Sequence, residues 1–174
     1  MTARTVYGTV NGQNNIKLIN NYTDIIKNKD NKFFKEALKE KFGKMEFGVV
    51  VGNPPYQENN GGGAREIGGT TLYNKFVLKA LGISDIVCMI TKNNWFLSDV
   101  LKSTRLEMID SGIQEIINYP VLNEVFSCVD VAVSIFLINK KCSKKTHYRK
   151  IENGTVTSEY TADLSDISYI LDSL

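Results

Sequence analysis

Two adjacent prolines set the tightest constraint on this chain. In FGVVVGNPPYQENNGGG, residues 47–63, a valine-rich run passes through Gly52 into Asn53-Pro54-Pro55-Tyr56 and on into glycines. The prolines remove two backbone donors and bias the residues before them away from helical geometry, so the strand must stop there and no helix starts. The run Phe47–Val51 shows no hydrophobic alternation, the pattern of a strand buried on both faces of a parallel sheet. A rigid, polar and aromatic turn therefore stands at the carboxyl end of a buried strand. In open α/β sheets that edge carries the ligands.

The segments around it predict an α/β domain. Phe33–Phe42 places Phe33, Ala37, Leu38 and Phe42 at helical spacing, and Leu72–Leu81 and Val100–Ser111 are helical too, with Gly112 suited to end the latter. Asp85–Thr91 (DIVCMIT) and Ile113–Asn118 read as strands. Val121–Phe126 and Val131–Asn139, joined by a short link, read as an antiparallel pair that ends the sheet. Residues 1–32 are rich in Asn and Lys and read as a poorly defined segment of short strand and turn pieces. Gly61–Gly69 holds five glycines and reads as a mobile loop. Residues 142–174 read as a polar C-terminal extension with a hairpin at Asn153-Gly154.

Composition narrows the function classes. The longest apolar runs are far shorter than the roughly 20 residues of a membrane span, so no membrane is expected. The N-terminus lacks the sectors of a signal peptide. Cys88, Cys128 and Cys142 are odd in number and have no CxxC spacing, which points to a reduced, cytoplasmic protein. His147 is the sole histidine and has no cluster of ligands around it in sequence, so no metal is expected. A net charge of +2 does not by itself announce nucleic acid. The basic run Lys140, Lys141, Lys144, Lys145, Arg149 and Lys150 reads either as a phosphate contact beside a DNA strand or as a solvated turn.

Asn53-Pro54-Pro55-Tyr56 resembles the (D/N/S)PP(Y/F/W) motif of amino-methyltransferases. From about Phe47 to Lys141 the order of features resembles that of adenine-N6-specific DNA methyltransferases of restriction-modification systems, of the Eco57I-like and TaqI-like kind. TLYNKFVLKAL resembles the family helix whose aromatic residue lies against the adenine of S-adenosylmethionine. Phe76 is the matching position, with Leu72 and Tyr73 beside it. IVCMITKNNWF resembles the next strand and its tryptophan, here Trp95. LNEVFSCVDVAVSIFLINKK resembles the late E-V-F motif, whose phenylalanine, here Phe126, packs on the flipped base opposite the catalytic tyrosine.

The resemblance implies a Rossmann-like methyltransferase fold, with residues 33–141 as a partial catalytic domain holding the C-terminal half of the sheet. It implies S-adenosylmethionine as cofactor, double-stranded DNA as partner, and roles for the quoted residues. Asn53, Pro54, Pro55 and Tyr56 are the implied catalytic set. Tyr56 and Phe126 would bind the target base, and Phe76, Leu72 and Asn53 the cofactor. The chemistry explains the residue types. An exocyclic adenine amine has a delocalised lone pair, and acceptors on its two N–H bonds, the Asn53 side-chain oxygen and the Pro54 carbonyl, favour a pyramidal, nucleophilic nitrogen.

The chain also departs from the family pattern. Lys92 stands where proline is preferred, Ser127 follows Phe126 where proline is common, and neither an FxGxG loop nor a ribose-binding acid is found upstream. The implied state is a catalytic-half fragment, a split subunit or a degenerate relative. The strand Phe47–Val51 would then have an uncovered side, closed by a missing N-terminal half, by a partner subunit, by self-association or by the N-terminal segment. Two further functions stay open: a non-catalytic methyltransferase-like binding module, and methylation of a protein glutamine amide, whose planar nitrogen poses the same lone-pair problem.

Overall fold

The computed structural model describes residues 9–10, 13–14, 26, 31–43, 45–57, 71–127, 130–167 and 169–171. The chain divides into two compact units, Met1–Glu46 and Phe47–Leu174. In the first, β1 (Thr9–Val10) and β2 (Gln13–Asn14) pair antiparallel, and α1 spans Asn31–Phe42. This helix buries Phe34 and Leu38, one turn apart, and leaves Phe33, expected on the inner face, exposed. Neighbouring residues on a helix point about 100° apart, so a stripe built on Phe34 excludes Phe33. The glycine-rich loop 58–70 lies outside the described residues, apart from the Gln57–Thr71 bridge that spans it.

The second unit holds a six-stranded mixed sheet. Its strands are β3 (Phe47–Gly52), β4 (Ser84–Lys92), β5 (Ile113–Tyr119), β6 (Val133–Asn139), β7 (Lys145–Glu152) and β8 (Thr155–Asp163). Their order is β3-β4-β6-β5-β7-β8. α2 (Tyr73–Leu81) carries the crossover from β3 to its parallel neighbour β4. A 3-10 turn (Asn93–Phe96) and α3 (Lys102–Asp110) lead from β4 to β5. Gly112 has φ +85°, and its N–H donates to the Ile109 carbonyl at 3.0 Å, closing α3 as its position in the sequence suggests.

The antiparallel pair does not end the sheet as expected. β6 runs back between β4 and β5, antiparallel to both. VSIFLIN is apolar on both sides, which suits a strand with two neighbours. Residues 121–126 form turns rather than a strand, with Asn123 at φ +64°. Residues 145–163, grouped by sequence with a C-terminal extension, supply two strands of the sheet. Asn153 (φ +53°) and Gly154 (φ +74°) form the two-residue hairpin between them; a type I′ turn demands positive φ at both positions.

One face of this sheet is the core. Val87, Met89, Ile116, Phe136, Ile138 and Tyr148 pack against Val77, Ala80 and Leu81 of α2, Met108 and Ile109 of α3, and Leu164 and Ile170 near the C-terminus. Each fully buried aliphatic or aromatic side chain contributes about 1.5–3 kcal/mol. The other face follows the pairing register: Val51, Cys88, Leu137, Glu115, His147 and Thr161 form one row across all six strands. It is aliphatic over β3, β4 and β6 and charged over β5, β7 and β8, where Arg149 pairs with Glu115 and His147 Nε2 lies 2.7 Å from Glu159.

Strand β3 corrects a second expectation. Val50 faces the core, but Val49 and Val51 are 52% and 74% exposed. The unalternated valine run implied burial on both faces. The helices of this unit pack on the Val50 side alone, and β3 ends the strand order among the described residues.

Candidate active site

The carboxyl end of β3 delivers Asn53 into solvent. Gly52 is the last residue of the parallel pairing, opposite Met89, and Asn53 and Pro55 beyond it are exposed while Pro54 is buried. Burying the Pro54 ring anchors the turn, and fixed proline φ angles aim its carbonyl. Tyr56 is half-buried, its ring packed against the core cluster and its hydroxyl turned inward. Burial pushes that phenol above its ordinary pKa, keeping it neutral. What Tyr56 offers a planar ligand is its ring, not its hydroxyl.

Helix α2 is tied to this turn at its start. The Leu72 N–H donates to the Tyr56 carbonyl at 3.2 Å, and the Leu72 side chain is buried. Leu72 thus presents its backbone to the motif and its side chain to the core. Phe76, one turn further along α2, is half-buried. The Tyr73 hydroxyl donates to Asn94 Oδ1 at 2.6 Å and links α2 to the 3-10 turn that follows β4. Burial raises the Tyr73 phenol well above its ordinary value, so it remains a donor.

Beneath that turn lies a buried polar network. Asn93 Nδ2 donates to Asn118 Oδ1 at 2.9 Å, and Asn118 Nδ2 donates to the Tyr148 hydroxyl at 2.9 Å. Trp95 is wholly buried; its indole N–H donates to Ser134 Oγ at 3.0 Å, and its ring meets Phe96 and Phe136 edge-on. Trp95 is therefore a core anchor of the turn. Phe126 is half-buried in the loop between β5 and β6. That loop is pinned by Asn123 Nδ2 donating to Asp130 at 2.6 Å and by the Gly154 N–H donating to Glu124 at 2.9 Å. Since β6 runs antiparallel to β4 and β5, this loop emerges at the same sheet edge as Asn53.

Three polar atoms of the proline turn, α2 and β4, Tyr56 Oη, Asn74 Oδ1 and Thr91 Oγ1, are buried without a hydrogen-bond partner among the described residues. An unsatisfied buried polar group costs about 1–3 kcal/mol. Two of them sit just beyond β3 and at the start of α2, and the third near the end of β4. The Asn74 and Thr91 oxygens at the carboxyl edge fit a polar ligand bound there, whereas the Tyr56 hydroxyl faces inward.

The basic run divides: Arg149 and Lys150 lie toward the carboxyl end of β7, opposite Ile117 and Asn118, whereas its first lysines lie at the other end of the sheet. Lys140 donates its backbone N–H to Asp85, at the start of β4, and its ammonium to the Leu81 carbonyl. Lys141 pairs with Asp85 at 2.8 Å and Lys144 with Asp110 at 3.0 Å. These lysines occupy the amino end of β4 and the end of α3, opposite the proline turn. Lys141 holds the Asp85 carboxyl below the usual carboxylate range. Among the described residues no cluster of His, Cys, Asp and Glu is arranged to hold a metal ion. No described helix is long and apolar enough to cross a membrane.

A family model, the Eco57I restriction-modification methylases, matches residues 2–126. The chain belongs to that family. An uncharacterized adenine-specific methylase from Mycoplasma pneumoniae is 38% identical over 66 residues, which are 37% of this chain and 16% of that protein. Among solved structures, the type IIL restriction-modification enzyme MmeI in complex with DNA superposes with a TM-score of 0.50 at 15% identity, over 79% of this chain and 20% of that one. A type I methyltransferase subunit from Streptococcus thermophilus gives 0.45 at 13% identity, over 60% of this chain and 26% of that one. At 15% identity the MmeI superposition speaks to the fold alone. The chain spans about a sixth to a quarter of the proteins it matches.

The family match takes in the proline turn, α2, the Trp95 turn and Phe126. Sequence reasoning missed the polar network under the turn and the part played by the C-terminal residues. The signal for the latter was the spacing of Leu164, Ile167 and Ile170, three apolar residues at intervals of three in a polar stretch.

Proposed function

We propose that this chain carries the amine-activating half of a DNA adenine-N6 methyltransferase site in a restriction-modification system. The observation that carries the reading is Asn53, exposed at the carboxyl end of β3 on a buried Pro54, within a segment that matches the methylase family. The Asn53 side-chain oxygen and the Pro54 carbonyl accept from the two N–H bonds of the target amine. That leaves its lone pair free for attack, so positioned acceptors replace a strong base. Tyr56 supplies one flat face for a base extruded from the duplex, and Phe126 supplies the opposite one. S-adenosylmethionine, when bound, supplies the electrophilic methyl group. Phe76 and Asn53 would hold that cofactor, with Leu72 supporting them through its backbone, and the unpartnered atoms of Asn74 and Thr91 fit a polar group at this edge.

Double-stranded DNA is the proposed substrate, in the reduced setting of the cytoplasm. We further propose that the exposed Val49 and Val51 face meets the rest of the enzyme or a second copy of this chain.

The test is made in the organism that encodes the chain. N6-methyladenine at a defined sequence motif in genomic DNA is expected with the wild-type gene and is expected to vanish with Asn53→Ala. Unchanged methylation in the variant, or none in the parent strain, would overturn the proposal.

A further inference from the structure

We infer that Arg105 and Tyr169 are positioning residues for the Asn53–Tyr56 site, acting through a strap that includes residues 164–167 and 169–171. The inference rests on the proposed methylation site but begins far from it. Arg105, in the middle of α3, is completely buried. Its Nη1 donates to the Trp95 carbonyl at 2.7 Å and to the Ser98 carbonyl at 2.9 Å, so one guanidinium closes the exit of the 3-10 turn. A buried charge is tolerated where its hydrogen bonds are made, and these two go to the turn rather than to a carboxylate.

The strap lies over the same guanidinium. The Tyr169 ring sits 5.0 Å from the Arg105 guanidinium carbon, a cation–π distance, and its hydroxyl donates to Asp99 at 2.9 Å. The Ile170 N–H donates to the Phe96 carbonyl at 3.1 Å, and the Ile170 side chain is buried in the core. The Tyr160 hydroxyl donates to the Leu171 carbonyl at 2.9 Å and returns the strap to β8. Carbonyls of Trp95, Phe96 and Ser98 are thus held from α3 and from the chain's C-terminal residues.

The turn hands this restraint to the motif. Asn94, inside it, accepts from Tyr73 at 2.6 Å, and Leu72, next to Tyr73, holds the Tyr56 carbonyl. The path from strap to motif is Tyr169, Arg105, the Trp95 turn, Tyr73 and Leu72, then Tyr56. The first step is the ring contact, Tyr73 and Leu72 are joined by their peptide bond, and the other steps are hydrogen bonds. A site that works by aiming acceptors loses rate when its geometry drifts by about 1 Å, so the strap is placed to set turnover.

Trp95 is the chain's single tryptophan and reports on the turn directly. Tyr169 is partly exposed, so Tyr169→Ala tests the strap without opening the core, and Arg105→Lys keeps the charge while losing the two-carbonyl clamp. In the purified full chain both are expected to raise acrylamide quenching of Trp95 at least twofold. Tyr169→Phe, which keeps the ring, is expected to stay near wild type. Thermal midpoints of Tyr169→Ala and wild type are expected to agree within a few degrees. Genomic methylation by Tyr169→Ala is expected to fall at least tenfold in initial rate after induction. Unchanged quenching in both Tyr169→Ala and Arg105→Lys overturns the clamp. Increased quenching that only tracks a lowered midpoint marks a merely structural role and overturns the inference too. Loosened quenching with full methylation, in a strain where Asn53→Ala abolishes it, overturns the link to the site and leaves the proposed function standing. If Asn53→Ala does not matter, the function reading fails while the quenching result still decides the clamp.

Discussion

The two ends of the sheet are built from different chemistry. At the carboxyl end, uncharged polar groups are fixed by hydrogen bonds, buried for Asn118 on Tyr148 and Trp95 on Ser134 and part-buried for Asn93 on Asn118 and Tyr73 on Asn94. At the amino end, charges lie in solvent and pair loosely, Lys141 with Asp85 and Lys144 with Asp110. Buried hydrogen bonds are costly to leave unmade, whereas exposed ion pairs contribute little. The lysines that open the basic run therefore lie away from the proline turn, and the end held by hydrogen bonds is the one that carries it.

The largest test of this contrast is catalytic. Asn53→Ala removes one acceptor from the proposed amine-activating pair, and losing such a group costs about 10²-fold or more in rate. The expected result is loss of methyl transfer with an unchanged thermal midpoint. Wild-type rates would return the proline turn to a structural role.

Next comes stability. Trp95→Ala empties a buried site and frees Ser134, and truncating a buried aromatic costs about 3–5 kcal/mol. Asp85→Asn at the other end is expected to leave the urea midpoint unchanged. Equal losses at the two ends would dissolve the comparison.

Base handling is a smaller effect. Phe126→Ala and Tyr56→Ala are expected to weaken binding of a duplex containing the target adenine by about 1–3 kcal/mol, the value of stacking one base. A duplex with an abasic site at that position is expected to bind both variants like the parent. If the abasic duplex loses affinity equally, these rings serve packing alone.

Much of this was legible in the sequence because it is local. Asn53–Tyr56, the crossover helix, Gly112 and the Asn153-Gly154 hairpin are each set by a few neighbouring residues. What was not legible is set at a distance. The insertion of β6 between β4 and β5 depends on which strand best fills a central slot. The outward turn of Val49 and Val51 depends on which face the helices choose. Phe33 and Phe34 are equally apolar, and only packing selects Phe34. The strap was hidden because its few apolar residues are diluted among Asp and Ser; β7 was less so, since Thr146 and Tyr148 in KTHYRKIE alternate with more exposed neighbours as in a half-buried strand.

A pH series sharpens the contrast further. Burial raises the Tyr73 phenol above its ordinary value of 10.0. A group whose folded pKa is raised stabilises fully below its unfolded value and loses that contribution as pH rises past it. The carboxyl end is therefore expected to weaken above about pH 10, the unperturbed tyrosine value. Tyr73→Phe should flatten that alkaline decline while lowering neutral-pH stability by about 1 kcal/mol, one hydrogen bond. An unchanged alkaline slope would mean that Tyr73 ionises freely.

The smallest expected effect concerns the basic run. Each phosphate neutralised by a lysine adds about 0.9 to the slope of log affinity against log salt on duplex DNA. Lys141 and Lys144 are already paired with Asp85 and Asp110, at the end of the sheet opposite Asn53. The double variant Lys141→Gln with Lys144→Gln is expected to bind duplex DNA with the parental slope, measured between low and moderate salt. Two lost phosphate contacts would instead lower that slope by about 1.8. Such a fall would carry the DNA across the amino end, and the division between a working edge and a solvated one would fail there first. An unaltered slope removes Lys141 and Lys144 from the DNA contact and leaves Lys92 at the end of β4 and Lys150 toward the end of β7 as the next basic side chains to substitute.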